Sequence, residues 1–365
     1  MKKIAVVSSA VLTAGFLLSV SRIAIAAGDT CGSGTAAGTD AVACGTSSSA
    51  GSFGGSAYGY GSTASADSTS IGYNSGHSGS GGNSTAVGAL STAAGTDSVA
   101  LGYSSGLYGS GNYSTAVGYD SEASGSDSVA LGYGSGYYGS GDYSTAVGEY
   151  SEALGKNSIA IGAGDNGTNG NAARTNNAGD IAIGTNSEAG INGGAGTNDA
   201  AIGYSAKATG GSSSAYGYHS NAAGAESTAL GVYSGWGGSG TDSTAVGAYS
   251  TATGFEGTAL GYSAGYYGNG DYSTAVGSFS AASGANSVAI GGGDSLTTQG
   301  AISYNSGDIA IGTNSVAGVS SGNQTYDTAL GYGAQATGGY SLASGRNAKA
   351  LGSFSVASGN AATGY

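Results

Sequence analysis

Ser98-Val-Ala-Leu-Gly102 returns along the chain as Ser128-Val-Ala-Leu-Gly132, Ser158-Ile-Ala-Ile-Gly162 and Ser287-Val-Ala-Ile-Gly291. Within each word the branched residues alternate with alanine, a period of two bounded by Ser and Gly, which reads as a short strand and not as a helix. The glycines that close these words and their relatives are spaced by seven: Gly88, Gly95 and Gly102, then Gly118, Gly125 and Gly132, then Gly148, Gly155 and Gly162. Self-similarity at a fixed period marks a solenoid, so it decides the fold ahead of any other feature. It also narrows function, because near-identical rungs leave no obvious place for a unique catalytic pocket.

Between the seven-residue steps lies a unit of sixteen. Gly102 to Gly118 reads Tyr103-Ser-Ser-Gly-Leu-Tyr108-Gly-Ser-Gly-Asn-Tyr113-Ser-Thr-Ala-Val-Gly118, and Gly132 to Gly148 and Gly261 to Gly277 are near copies. The rungs are therefore fourteen residues long, with two residues inserted on alternate coils and a super-repeat of thirty. A larger duplication overlies this: Gly102 to Gly162 recurs at Gly231 to Gly291, which sets the two copies at about 88–217 and 218–345. Even Asp180-Ile-Ala-Ile-Gly184 returns, as Asp308-Ile-Ala-Ile-Gly312, after an Asn-rich insertion in the first copy and a Ser/Thr/Gln-containing one in the second. A fourteen-residue turn with two extended segments is one flattened coil of a parallel β-roll, with glycine where the corners need positive φ or close backbone approach. Residues 27–365 read as one elongated repeat domain, because each coil of an array touches only its neighbours and length says little about domain number.

Glycine makes up 76 of 365 residues and proline is absent, and without a three-residue period this excludes collagen. The aliphatic residues kept in register argue against a disordered Gly/Ser linker. Residues 1–26 read as a secretory signal: Lys2 and Lys3, an apolar stretch from Ile4 to Val20, then Ala24-Ile25-Ala26 as a small-x-small cleavage site. A retained anchor is the alternative. Removing the segment takes Lys2, Lys3 and Arg22 with it and leaves five basic residues against 21 acidic ones, which argues against nucleic acid as a partner. No later apolar run reaches membrane-spanning length, so no membrane span is expected in the mature chain. The two cysteines, Cys31 and Cys44, each precede a glycine at the position held by Leu101 in later rungs. Export favours a disulfide. Stacked coils would set the two sulfurs one above the other at a strand spacing of about 4.8 Å, within disulfide range, leaving pairing within and between chains both open.

The alternation also bears on assembly. Period two puts Ala100 on one face of its strand and Val99 with Leu101 on the other. Coils this short admit only small side chains, so Ala and Ser are expected inside. Val99, Leu101, Val129, Leu131, Ile159, Ile161, Val288 and Ile290 are then expected outside. An exposed aliphatic stripe aggregates unless another chain covers it, and at about 25 cal/mol per Å² a repeated stripe outweighs any single contact. The expectation is an obligate homo-oligomer bound through these residues; the opposite assignment, aliphatics inside and a monomer, is the alternative.

Asn286-Ser287-Val288-Ala289-Ile290-Gly291 and Asn157-Ser158-Ile159-Ala160-Ile161-Gly162, followed by Ala/Ser-x-Ala-x-Gly steps, resemble the head repeats of YadA-like trimeric autotransporter adhesins over about residues 35–364. The resemblance implies an all-β, left-handed parallel β-roll, three chains packed around one axis through the Val/Ile face, and a role in adhesion and virulence at the cell surface or outer membrane. The family's heptad stalk and C-terminal barrel strands do not occur before Gly364-Tyr365, so export and anchoring by that part do not carry over.

Tyrosine is frequent, 26 residues, and clusters in the sixteen-residue coils: Tyr103, Tyr108 and Tyr113; Tyr133, Tyr137, Tyr138 and Tyr143; Tyr262, Tyr266, Tyr267 and Tyr272. A thirty-residue repeat predicts stripes on one side of the roll, joined by Trp236. Tyr with Ser and Gly is a mixture suited to adaptable contact surfaces, and Tyr108, Tyr137, Tyr138, Trp236, Tyr266 and Tyr267 form the candidate ligand face. The competing reading is stacking that stiffens the roll. Asp97, Asp127, Asp142, Asp242 and Asp271 suit turn capping, since the Gly-Gly-x-Gly-x-Asp repeat of calcium-binding rolls is missing. His77 and His219 have no partner at metal-ligand spacing, Gly79-Ser-Gly-Gly82 lacks the Lys-Ser/Thr of a phosphate loop, and no Ser-His-Asp set stands out among so many serines. No metal, cofactor or enzymatic activity is expected. The function expected is that of a secreted or surface adhesin head, attaching through many weak contacts to host matrix protein, glycans or neighbouring cells. The alternative is a structural, self-associating protein: a spacer, a biofilm component or an ice-type binder using Thr85, Thr115 and Thr145.

Overall fold

Each three-residue word of the sequence is a strand whose middle residue points inward. The computed structural model describes residues 33–365 except 38–39, 52, 78, 165–170, 192–193, 195, 267, 295–298, 321 and 323–324, and among these there is no helix. The signal segment, Cys31 and Tyr267 lie outside the described residues. Two compact units are formed, Met1–Lys156 and Asn157–Tyr365, and each is a parallel β-solenoid.

In the first unit the main ladder runs from Val42–Cys44 to Thr145–Val147. A shorter ladder of Thr35–Ala36, Ser49–Ala50 and Thr63–Ala64 lies beside it. Pairing is residue for residue: Thr85 opposite Val99, Val99 opposite Thr115, Thr115 opposite Val129, Val129 opposite Thr145. The steps along this ladder alternate between fourteen and sixteen residues, so the two-residue insertion leaves the strand register untouched. The second unit continues the pattern from Ile159–Ile161 to Val356–Ser358. Its two long insertions are absorbed in the same way, with Ile159 opposite Ile181 and Val288 opposite Ile309.

The interior is narrow. Ala86, Ala100, Ala116, Ala130 and Ala146 from the strands, with Ala93 and Ala123 from the return segments, are fully buried. Serine supplies the rest: Ser91, Ser98, Ser105 and Ser121 are buried, and a buried hydroxyl must find a partner. Ser98 Oγ donates to Gly95 O at 2.7 Å, and Ser105 Oγ donates to Ala116 O at 2.8 Å and lies 3.0 Å from Ser121 Oγ. This explains why Ser stands three residues after Gly88, Gly95, Gly102 and Gly118.

Two columns of glycine make the corners. Gly102 has φ 134°, and a Cβ there would run into the carbonyl of Gly118; Gly95 stands in the same relation to Gly111. Two residues after each glycine the chain turns left-handed, at Leu90, Asp97, Ser104, Tyr113, Asp120 and Asp127, with φ between 49° and 60°. Aspartate accepts this conformation more readily than most residues, which accounts for its recurrence at Asp97, Asp127 and Asp242.

Candidate functional site: an outer aliphatic ladder and aromatic bulges

On the three-residue strands the residues flanking the inner alanine face outward, so the assignment of alanine inside and aliphatics outside is the one the fold adopts. Leu101, Ile161 and Ile290 are 36–39 % exposed, while Val99, Val129, Leu131, Ile159 and Val288 are half-buried. In the first unit the third strand position stacks Val87, Leu101, Val117, Leu131 and Val147 into one aliphatic column. In the second unit Ile161, Ile183 and Ile202 lead, and Leu230, Val246, Leu260, Val276, Ile290 and Ile311 follow after Tyr216. The first strand position is mixed. Thr85, Thr115 and Thr145 alternate there with Val99 and Val129, so the threonines line the same face as the valines.

The tyrosines do not form a one-sided stripe. Those outside the bulges divide between the two corners, because the two-residue insertion lies in the return segment and Tyr103 and Tyr113 stand on opposite sides of it. At the corner after the strand, Tyr103 stacks on Tyr119 at 5.1 Å and Tyr119 on Tyr133 at 4.9 Å, with Tyr150 edge-on at 5.2 Å. The Tyr150 hydroxyl is pushed up to about 12, first by its hydrogen bond to Tyr133 and then by burial. In the second unit His219 belongs to this seam, parallel to Tyr233 at 5.0 Å and edge-on to Tyr218 at 4.3 Å. At the corner before the strand, Lys156 lies 5.6 Å from the Tyr143 ring, and Phe255 packs on Tyr272 at 5.3 Å.

The inserted residues form bulges. In the one that carries Tyr108, the return segment opens at Gly106 and closes at Gly111. Gly106 N donates to Ser121 O at 2.8 Å and Gly111 N to Ala123 O at 2.9 Å, while Ser110 Oγ fills the gap by donating to Thr92 O at 3.0 Å. Ser140 and Ser239 repeat the device against Glu122 O and Asn221 O. The side chains between are thrown outward: Tyr108, Tyr138, Trp236 and Tyr266 are 58–69 % exposed, and Tyr137 is exposed beside them. Tyr108 and Tyr137, from bulges two coils apart, meet edge-on at 6.0 Å. Trp236 instead packs edge-on against Tyr233 at 5.1 Å, joining its bulge to the corner seam.

Between the bulges of Tyr108 and Tyr137 lies Glu122, which the sequence pattern does not single out. Its neighbour Ala123 is fully buried, yet Glu122 on the outer side is itself only 7 % exposed, and burial pushes its carboxyl up to about 7. The available signal was positional: Thr92, Glu152 and Thr251 occupy the same place in related coils, and all are buried.

Four buried aspartates serve the backbone. Asp180 accepts from Asn177 N at 2.8 Å and Asp199 N at 3.0 Å, and Asp199 accepts from Gly211 N, Ser213 N and Ser213 Oγ at 2.6–2.9 Å. Asp308 and Asp327 repeat the arrangement. Burial raises Asp308 to about 6 against the pull of its backbone donors at Asp327 and Asn305. Asp142 and Asp271 cap turns, accepting from Ser126 N and Phe255 N at 2.9 Å. Among the described residues no group of His, Cys, Asp and Glu could hold a metal ion, and no helix is long and apolar enough to cross a membrane. Cys44 closes its strand in the aliphatic column, opposite Tyr58.

The family model described as YadA head domain repeat (2 copies) matches residues 80–105, 110–135, 140–164, 195–220, 208–234, 239–264, 269–293, 323–348 and 336–362, together more than half of the chain. All eight ladder residues fall inside these segments. Tyr108, Tyr137, Tyr138, Trp236, Tyr266 and Tyr267 fall in the gaps between them. No curated protein matches the chain.

Proposed function

We propose, on the premise that this chain belongs to the YadA head-repeat family, that it is the head of a homotrimeric adhesin at the cell surface or outside the cell, which attaches to host matrix protein, glycans or neighbouring cells. Members of this family are adhesin-type surface proteins, and repeat and fold alike are non-enzymatic in kind. Three chains would pack through the aliphatic ladder, and residues 1–26 would direct export. The observation that carries the attachment reading is the placement of the bulges. They present large aromatic side chains to solvent without disturbing strand register, and they fall between the segments that the family model matches. Surface insertions on a rigid scaffold are where binding residues concentrate, and many weak copies on three chains give avidity.

The test is a variant with Tyr108, Tyr137, Tyr138, Tyr266 and Tyr267 replaced by Ser, displayed on cells in a flow chamber. Attachment should drop while circular dichroism and oligomeric state stay unchanged. Unfolding or dissociation would make the tyrosines packing elements, and undiminished attachment would move the binding face elsewhere. A second reading, an ice-type surface binder, draws on the threonine column at Thr85, Thr115 and Thr145; thermal hysteresis of the soluble protein tests it.

A further inference from the structure

Glu122 is a buried carboxyl on the outer side of a narrow roll. It sits in the fourteen-residue coil between two bulged ones. Its amide donates to Ser135 O at 2.8 Å on one side, and on the other the adjacent Ser121 O accepts from Gly106 N at 2.8 Å. Ala123 fills the interior, so the Glu122 side chain leaves the roll between the bulges, where it is 7 % exposed. Burial alone perturbs it, and it has neither a hydrogen-bond partner nor an opposite charge among the described residues. The bulges stand two coils apart, about 9.6 Å at the usual strand spacing. The Tyr108 and Tyr137 rings are nevertheless 6.0 Å apart, edge-on, so the two bulges lean together across the coil that carries Glu122. Asp120, two residues earlier, acts on the Tyr137 hydroxyl as well, after the larger influences of Tyr108 and burial.

We propose that the slot formed by Tyr108, Glu122 and Tyr137 binds a primary alkylammonium group, carried by a lysine side chain of another protein or by a free amine. The carboxylate supplies the counter-charge, and a ring face attracts the cation most strongly where water is excluded. The methylenes next to the nitrogen lie against the aromatic walls as a lysine stem does on apolar surface. A calcium ion fits poorly, because one carboxylate cannot supply its six to eight oxygens, and anions are repelled by Glu122 and Asp120. At the equivalent place in the second unit, Thr251 holds no charge and turns its hydroxyl to Trp236 O at 3.3 Å. The binding does not depend on the chain acting as an adhesin.

The experiment is titration of the soluble mature chain with n-butylammonium chloride, with n-butanol as the uncharged counterpart, followed by calorimetry and tyrosine NMR shifts. Saturable butylammonium binding is expected, about tenfold tighter than butanol. It should weaken about fivefold or more in Glu122→Gln and in Glu122→Thr, the second being the residue this fold already carries at Thr92 and Thr251. Binding of Nα-acetyl-lysine-N-methylamide as well would assign the site to lysine side chains; its rejection would assign the site to free amines. No saturable binding by the unaltered chain, equal binding of butanol, or undiminished binding in both variants overturns the proposal. Since the titration uses no cell or matrix, its failure and a failure of the tyrosine variant in the flow chamber are separate results.

Discussion

A Cβ placed on Gly102 would collide with the carbonyl oxygen of Gly118, the glycine one coil further on. Gly109 has almost the same φ, 136° against 134°, but a Cβ there meets nothing within 4 Å. The pair separates two reasons for glycine. Gly109→Ala should cost about 2 kcal/mol for the conformation alone. Gly102→Ala should cost about 2 kcal/mol more, because two backbones must move apart. Urea unfolding of the two variants measures the difference; equal costs would mean that close approach does not select glycine in this column.

The half-exposed ladder predicts a trimer. Sedimentation equilibrium of the mature chain should give three chains per particle, and Leu101→Asp combined with Leu131→Asp should shift it toward monomer while strand content is retained, since a charge in an apolar interface has no partner. A stable, soluble monomer of the unaltered chain at micromolar concentration would remove the interface assigned to Val99, Leu101, Val129, Leu131, Ile159, Ile161, Val288 and Ile290.

Cys31 and Cys44 should be oxidised in the exported protein. Non-reducing electrophoresis reads the pairing: a band at monomer mass without free thiol means a bridge within the chain, and a covalent dimer means one between chains. Free thiols under both native and denaturing labelling would refute the disulfide.

Stability should fall as pH rises through the range where Glu122 and Asp308 lose their protons. The folded chain holds these groups at about 7 and about 6, above their unfolded values of about 4.3 and 3.9. Between those limits the unfolded state binds fewer protons than the folded one, so unfolding becomes easier with each step of pH and levels off above about 7. For Glu122 the total is about 2 kcal/mol after discounting for solvent screening. Self-repulsion of a chain with net charge −13 gives the same trend, so the measurement is the difference between the unaltered protein and Glu122→Gln. The variant's thermal midpoint should fall less between pH 4.5 and 7.5, and identical slopes would show that Glu122 titrates normally.

The coil itself was legible. Val99-Ala100-Leu101 states its two faces by alternation, and the seven-residue glycine spacing marks both corners because each mark is local. What could not be read depends on coils above and below. Glu122 looks like an ordinary solvated acid, and the bulges that flank its coil, at Tyr108 and Tyr137, are each fourteen or fifteen residues away. The division of the tyrosines into two seams hinges on where within the return segment the extra residues leave the roll, which a repeat length does not state. His219, solitary in the sequence, finds Tyr218 beside it and Tyr233 from the next coil.

Because a coil bonds only to the coil before and the coil after, and because Gly102–Gly118 and Gly132–Gly148 offer the same edges to their neighbours, genetic exchange between misaligned copies joins like to like. Adding or dropping thirty residues by recombination creates no new packing problem. Each gain or loss changes length by two coils, about 10 Å. The length of the roll thereby becomes a matter of copy number, changed in single steps.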